Sequence, residues 1–149
     1  MSHRESHVAL NAEVVPRTYE PYTYEVSREK IREYASALGE TDPRYFSDGD
    51  DCVAPPTFAA SYTIIKGGAP VFADPEVGAH WNLVHGSQRY DFGRPVRPGD
   101  VLTCTTTLAD VTPRGSNQFA TIEVDCTFAD GERAVLATQV IVFFGGGEG

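Results

Sequence analysis

Apolar residues along this chain follow two different periods, and the change between them divides the sequence. Up to about residue 66 they recur three and four positions apart. In "SREKIREYASALG", Ile31, Tyr34, Ala35 and Leu38 fall at i, i+3, i+4 and i+7, which predicts an amphipathic helix. Ser27 is suited to cap its start and Gly39 to stop it. The preceding "YTYEV" alternates as a short strand does. "PPTFAASYTIIK" predicts a second helix, with proline accepted in its first turn. Phe58, Tyr62 and Ile65 would share one face of it, and Ala59 and Ala60 would permit close packing. Between the two helices, "GETDPRYFSDGDD" has the composition of a polar loop.

From Trp81 onward the period is two. "WNLVHGSQRYDF" reads as a strand ended by "GRPVRPGD", and "VLTCTTTLADV" as the next. After the turn "TPRGSN", the stretch "QFATIEVDCTF" puts Ala120, Ile122, Val124, Cys126 and Phe128 on one face. Asp130-Gly131 is a hairpin signal, and "AVLATQVIVFF" closes the series. A sheet with one oily face must be covered, and the small-residue helix at 57–66 is the natural filler. The expected fold is therefore α+β, an antiparallel sheet wrapped around one central helix. Residues 1–17 read as an arm of uncertain order, 18–145 as a single domain and "GGEG" at 146–149 as a flexible tail. The free sheet edge invites pairing with a second chain, so a dimer is expected.

The chain has 149 residues, enough for one substantial core, and 41% hydrophobic with 22% charged residues suits a globular protein rather than a disordered one. A net charge of −9 argues against nucleic acid as a partner. No apolar run is long enough to span a membrane, and "MSHRESHVALNAEVV" lacks the apolar block of a secretory signal. A cytoplasmic location is the expectation. Cys52, Cys104 and Cys126 are widely spaced and read as buried free thiols; no metal site is implied. "RYDFGRPVRPGD" runs against the acidic balance, and Arg89, Arg94 and Arg97 could form a phosphate or carrier patch, or merely a solvated strand end.

Four stretches, "YEVSREKIREYASALGETDPRYF", "VAPPTF", "LVHGSQRYDFGRPVRPGDVL" and the closing strands, together resemble the MaoC-like hot-dog hydratases. The resemblance is to their N-terminal, fatty-acid-synthase-like dehydratase type, and it includes the non-catalytic subunit of actinobacterial (3R)-hydroxyacyl-carrier-protein dehydratases. It implies a hot-dog fold and reversible hydration of trans-2-enoyl thioesters on coenzyme A or acyl carrier protein, with no cofactor. That chemistry needs a base, an acid for the departing hydroxyl and donors for the developing enolate oxygen. Active members carry a loop resembling Gly-Asp-x-Asn-Pro-x-His and a glycine N–H at the start of the central helix. Here the loop reads Gly39-Glu40-Thr41-Asp42-Pro43-Arg44-Tyr45. Glu40 stands in the acid position, Asp42 in the asparagine position and Tyr45 in the histidine position. A tyrosine of ordinary pKa, about 10, is a poor base at neutral pH. Pro56 occupies the glycine position and has no N–H to give, which leaves the Thr57 N–H as the possible substitute.

The resemblance therefore implies a subunit that supplies the acyl-binding half, through Pro56, Thr57, Phe58, Tyr62, His85 and Gln88. A MaoC-like partner with an intact Asp/His loop would catalyse on acyl-CoA or acyl-carrier-protein substrate, in a heterodimer. A homodimeric acyl-thioester-binding protein is the alternative, as is an autonomous hydratase or thioesterase using Glu40, Asp42 or His85. For His85 the simpler reading is a hydrogen-bonded structural histidine beside the acyl channel. His3 and His7 lie in the arm, His80 reads as a surface residue, and Asp100 reads as a turn residue.

Overall fold

The computed structural model describes residues 9–145; the proposed tail at 146–149, and His3 and His7 of the arm, lie outside the described residues. Six strands form one antiparallel sheet: β1 (Arg17–Thr18), β2 (Tyr22–Glu25), β3 (Leu83–Phe92), β4 (Val101–Arg114), β5 (Asn117–Thr127) and β6 (Arg133–Phe143). Their order is β1-β4-β5-β6-β3, with β2 also on β4. Strands β4, β5 and β6 alternate more and less buried positions as the period of two requires, β3 does not, and Ala120, Ile122, Val124, Cys126 and Phe128 all face inward.

The α-helix α1 (Arg28–Ala37) begins where Ser27 accepts a hydrogen bond from the Lys30 N–H. Ile31 and Ala35 bury its inner face, whereas Leu38, expected on that face, is exposed. The helix ends in a Schellman motif. Gly39 adopts φ +71°, its N–H donates to the Ser36 carbonyl, and the Glu40 N–H donates to the Ala35 carbonyl.

The central helix is longer and more broken than its sequence suggests. A 3-10 turn at Pro56–Ala59 leads into α2 (Ala60–Thr63), and after an irregular Ile64 (ψ −74°) the helix resumes as α3 (Ile65–Ala73). This interruption rotates the face. Phe58 and Tyr62 are buried, but Ile65 is 82% exposed, so the expected common stripe stops at Tyr62. The continuation through "GGAP" defies breaker logic for a packing reason. A Cβ on Gly67 would lie 2.5 Å from Val124 Cγ2, and the Gly67 carbonyl accepts from the buried Thr106 hydroxyl at 2.8 Å. The helix sits this close to the sheet because it has no side chain there.

The three cysteines are free and buried. Leu10 is also buried, and its backbone N–H and C=O both bond the Gln118 amide, so the part of the arm from residue 9 on is packed onto the sheet. Behind it, Asp74 at the end of α3 accepts from Tyr19 Oη (2.8 Å), Arg17 Nη1 (3.0 Å) and the Glu76 N–H (3.0 Å). Burial alone would raise its pKa, but the hydrogen bonds from Tyr19 and Arg17 outweigh that and hold it below the usual carboxylate value. A folded pKa below the unfolded one means stability that is present above about pH 4 and lost as pH falls through the folded value. Asp74→Asn is therefore expected to cost about 0.5–1.5 kcal/mol at pH 7, because the part-buried Tyr19 and Arg17 keep a neutral acceptor and Arg17 keeps Glu76. Urea unfolding at pH 7 and pH 3 should show the gap between variant and native protein narrowing at the lower pH.

Candidate functional site

The Schellman turn releases the chain into the 39–46 loop, and Asp42 closes that loop on itself. Its carboxylate caps a 3-10 turn at Pro43–Phe46 by accepting the Arg44 N–H at 3.0 Å, and the Arg44 guanidinium grips the same group at 2.7 Å. The side-chain bond from Arg44 holds the Asp42 carboxyl below its ordinary pKa. Asp42 is thus fully engaged in its own turn. Glu40 is exposed, and its carboxylate makes no hydrogen bond or ion pair among the described residues. The turn points Tyr45 inward.

Tyr45 faces a cavity of about 280 Å³, with Pro56 and Ala59 of the central helix, Tyr62, Phe92 and Arg94 among its other walls. The helix start is fixed beside it, because Tyr34 Oη donates to the Thr57 carbonyl at 2.8 Å. Pro56 and Thr57 are exposed at this turn. Burial pushes the Tyr62 hydroxyl well above its usual pKa, and its ring stacks on Tyr24 at 5.0 Å. Phe58 is wholly buried between the Tyr34 and Tyr62 rings and lines no described cavity, so its role here is core packing.

A second cavity, about 470 Å³, opens on the far half of the helix. Ile64, Ile65 and Phe72 form one wall, Leu83, His85 and Ile141 the other, and Trp81 stands at 82% exposure with its ring stacked 4.5 Å from Phe72. His85 is exposed at its rim and makes no hydrogen bond among the described residues. The reading of a hydrogen-bonded structural histidine is therefore corrected: His85 stands opposite the apolar Ile141 of β6 at an exposed rim, where that side chain offers no hydrogen-bond partner. Gln88 pairs in register with Gln139, and its Oε1 is buried without a partner.

The arginines do not form a free basic patch. Arg89 pairs with Asp91 and Arg94 with both Asp130 and Glu132, while Arg97 donates to the Asp50 carbonyl at 2.8 Å. Neighbouring carboxylates neutralise Arg89 and Arg94, and a backbone carbonyl holds Arg97. Asp100 is a turn residue, accepting the Arg97 N–H at 2.7 Å. His80 is half-buried with its ring 5.2 Å from Phe143, rather than on the surface.

The structure thus gathers Tyr45, Pro56, Tyr62 and Arg94 around one cavity and puts His85 in another, while Glu40 and Asp42 line neither. The sequence profile of the FAS1-like dehydratase domain region matches residues 13–137. The chain belongs to this family. A UPF0336 protein of Streptomyces griseus subsp. griseus is 41% identical over 145 residues, covering 91% of this chain and 95% of that protein. Among solved structures, the C-terminally truncated HadBC (3R-hydroxyacyl-ACP dehydratase) complex of Mycobacterium tuberculosis is similar, with a TM-score of 0.69 and 29% identity over 85% of this chain and 95% of that one. A MaoC-like dehydratase superposes with a TM-score of 0.75 over 88% of this chain and 42% of that one; at 22% identity it speaks for the fold alone.

The chain accordingly has the hot-dog fold, an antiparallel sheet with a central helix. Among its described residues no helix is long and apolar enough to cross a membrane. The second cavity escapes the sequence reading because it depends on α3, whose Gly-Gly and Pro look like a loop. One signal for it exists. "AVLATQVIVFF" places a glutamine on the inward row between Ala137 and Ile141, where an apolar residue would be routine.

Proposed function

We propose that this chain is the acyl-holding subunit of a (3R)-hydroxyacyl-thioester dehydratase, working beside a related hot-dog chain that carries the catalytic Asp/His loop. One observation carries the reading: Tyr45 and Pro56, at the base and oxyanion-donor positions, line one cavity, and neither supplies the expected group. Asp42 is held by Arg44, so no carboxylate of the loop stands ready in that cavity as an acid. The acyl-binding features are retained. An apolar cleft lies under the central helix, and β3 is a sheet edge paired only with β6, with Val84 and Trp81 exposed at that end. An edge with open backbone donors and acceptors beside exposed apolar side chains suits pairing with a second sheet. The likeness to a subunit of the HadBC complex supports the same assignment.

The test is co-expression with a MaoC-like chain bearing an intact loop, followed by purification and an enoyl-absorbance assay with a crotonyl-type thioester. The pair is expected to co-purify and turn over, and this chain alone to run at least about 100-fold slower, as the lack of a positioned base implies. Efficient turnover by this chain alone at neutral pH would overturn the proposal. A stable homodimer that binds thioester but ignores the second chain would instead establish a binding protein.

A further inference from the structure

Gln139 sits on β6 with 3% of its surface exposed, and its side-chain amide makes no hydrogen bond among the described residues. It is one of the walls of the 470 Å³ cleft, whose other lining is almost wholly apolar, and its Nε2 lies 3.9 Å from where a Cβ on Gly68 would stand. Its register partner across the ladder, Gln88, points to the same face of the sheet and has a buried, unpartnered Oε1. Directly opposite residues have Cβ atoms about 5 Å apart, so the two side chains start as neighbours on one face of the sheet. Each buried amide that goes without a partner is a standing cost to the fold, and apolar residues of similar size would remove it. An amide without a partner on the wall of an oily cleft is accounted for when a ligand completes it; Gln139 is that wall, and Gln88 stands one strand over rather than in the lining.

The chemistry of this amide narrows what that ligand carries. The Gln139 Nε2 donates and so accommodates an oxygen acceptor, whereas the Oε1 of the same amide only accepts and so requires a donor. Near the thioester end of an acyl chain the carbonyl accepts but cannot donate. A hydroxyl does both. We infer that Gln139 seats the hydroxyl of a hydroxyacyl chain whose alkyl portion lies in the cleft along Ile64, Phe72 and Ile141, and so makes the chain prefer hydroxyacyl over enoyl and saturated thioesters. This rests on the reading of the cleft as the acyl site. Gln139 acts here as a specificity residue and takes no part in proton transfer.

The chain's one tryptophan, Trp81, lines the same cleft, so its emission reports chain entry. The experiment titrates the purified protein with dodecanoyl-CoA, trans-2-dodecenoyl-CoA and (3R)-hydroxydodecanoyl-CoA, which share every atom of the carrier. The hydroxyacyl probe is expected to bind about five- to tenfold more tightly, the ratio one hydrogen bond supports. In Gln139→Leu all three affinities should fall within about twofold of one another, with dodecanoyl-CoA bound as tightly as before, and the melting temperature should hold or rise. Gln139→Met serves as a second apolar replacement of similar length. Equal affinities in the native protein, or a preference that survives both substitutions, would overturn the assignment of Gln139 while leaving the acyl cleft intact. If none of the three probes moves Trp81 emission, the acyl reading of the cleft falls and this inference with it.

Discussion

Gly93→Ala is expected to be the most damaging single-methyl change in this protein. Gly93 follows the last residue of β3, where the chain turns away against the start of β6, and its N–H donates to the Ala134 carbonyl at 2.9 Å. A Cβ there would come within 1.8 Å of the Arg133 carbonyl oxygen and 2.8 Å of its carbon. Those are backbone atoms of a paired strand, so no side-chain rotation relieves the clash; the hydrogen bond must break or the strands must part. Overpacking a rigid site typically costs about 1–3 kcal/mol and more where the neighbour cannot yield. The upper end or beyond is expected here, a large share of the roughly 5–15 kcal/mol that holds such a domain together. Because Gly93 and Ala134 also line the Tyr45 cavity, that wall should open as well. Gly68→Ala is the contrasting control: its Cβ would meet nothing nearer than 3.9 Å, and gaining a helix-favouring side chain should leave the melting temperature unchanged or raise it. Thermal melts of both variants decide the matter, and a Gly93→Ala protein that melts within a degree or two of the native one would refute the argument.

The two glycines also show where sequence reading reaches its limit. Strands β3 to β6 are legible because a period of two needs only the local order of residues, and the structure puts the row expected in β5, from Ala120 to Phe128, on the inward face. The capped helix α1 is legible for the same reason, since Ser27 and Gly39 act on their immediate neighbours. The continuation of the central helix is not. Gly67 is tolerated there because of Val124 and Thr106, residues 57 and 39 positions away that only the fold brings close. Ile65 follows the same logic: its exposure comes from an irregular backbone at Ile64, which no spacing rule reveals. The 39–46 loop is legible as a polar connection after α1. The grip of Arg44 on Asp42 is not, because an Asp and an Arg two apart become a clamp only once a 3-10 turn sets their geometry. The arginines at 89, 94 and 97 look like a cluster in one dimension; in three, Arg89 and Arg94 are neutralised by separate carboxylates and Arg97 is held by the Asp50 carbonyl.

Rebuilding the catalytic positions is expected to give the largest change in activity. If the loop is a decayed site on a retained scaffold, Tyr45→His places an imidazole on the wall of the 280 Å³ cavity, facing the helix start. Pro56→Gly restores an N–H at that helix start, and Glu40→Asp gives the loop the aspartate of the active pattern at a position outside the cavity wall, with no partner to hold it back among the described residues. Each change alone should leave hydration of a crotonyl-type thioester near background, because a base without an oxyanion donor, or a donor without a base, is one part of a unit that acts together. The three combined should raise the rate about 100-fold or more above any single variant, the order of magnitude a positioned base contributes. The glycine removes a conformational restraint and costs about 0.4–1 kcal/mol, which a domain of this size withstands. Asp42 needs no change, since its carboxylate stays bound to Arg44 and away from the cavity. The measurement is loss of enoyl absorbance by each purified variant, with folding checked by its melting transition. A triple variant that folds, binds the thioester and stays at background would mean that Glu40 and Tyr45 do not correspond to the catalytic pair. The chain would then have held acyl groups on a hot-dog scaffold whose loop was never aimed at the thioester.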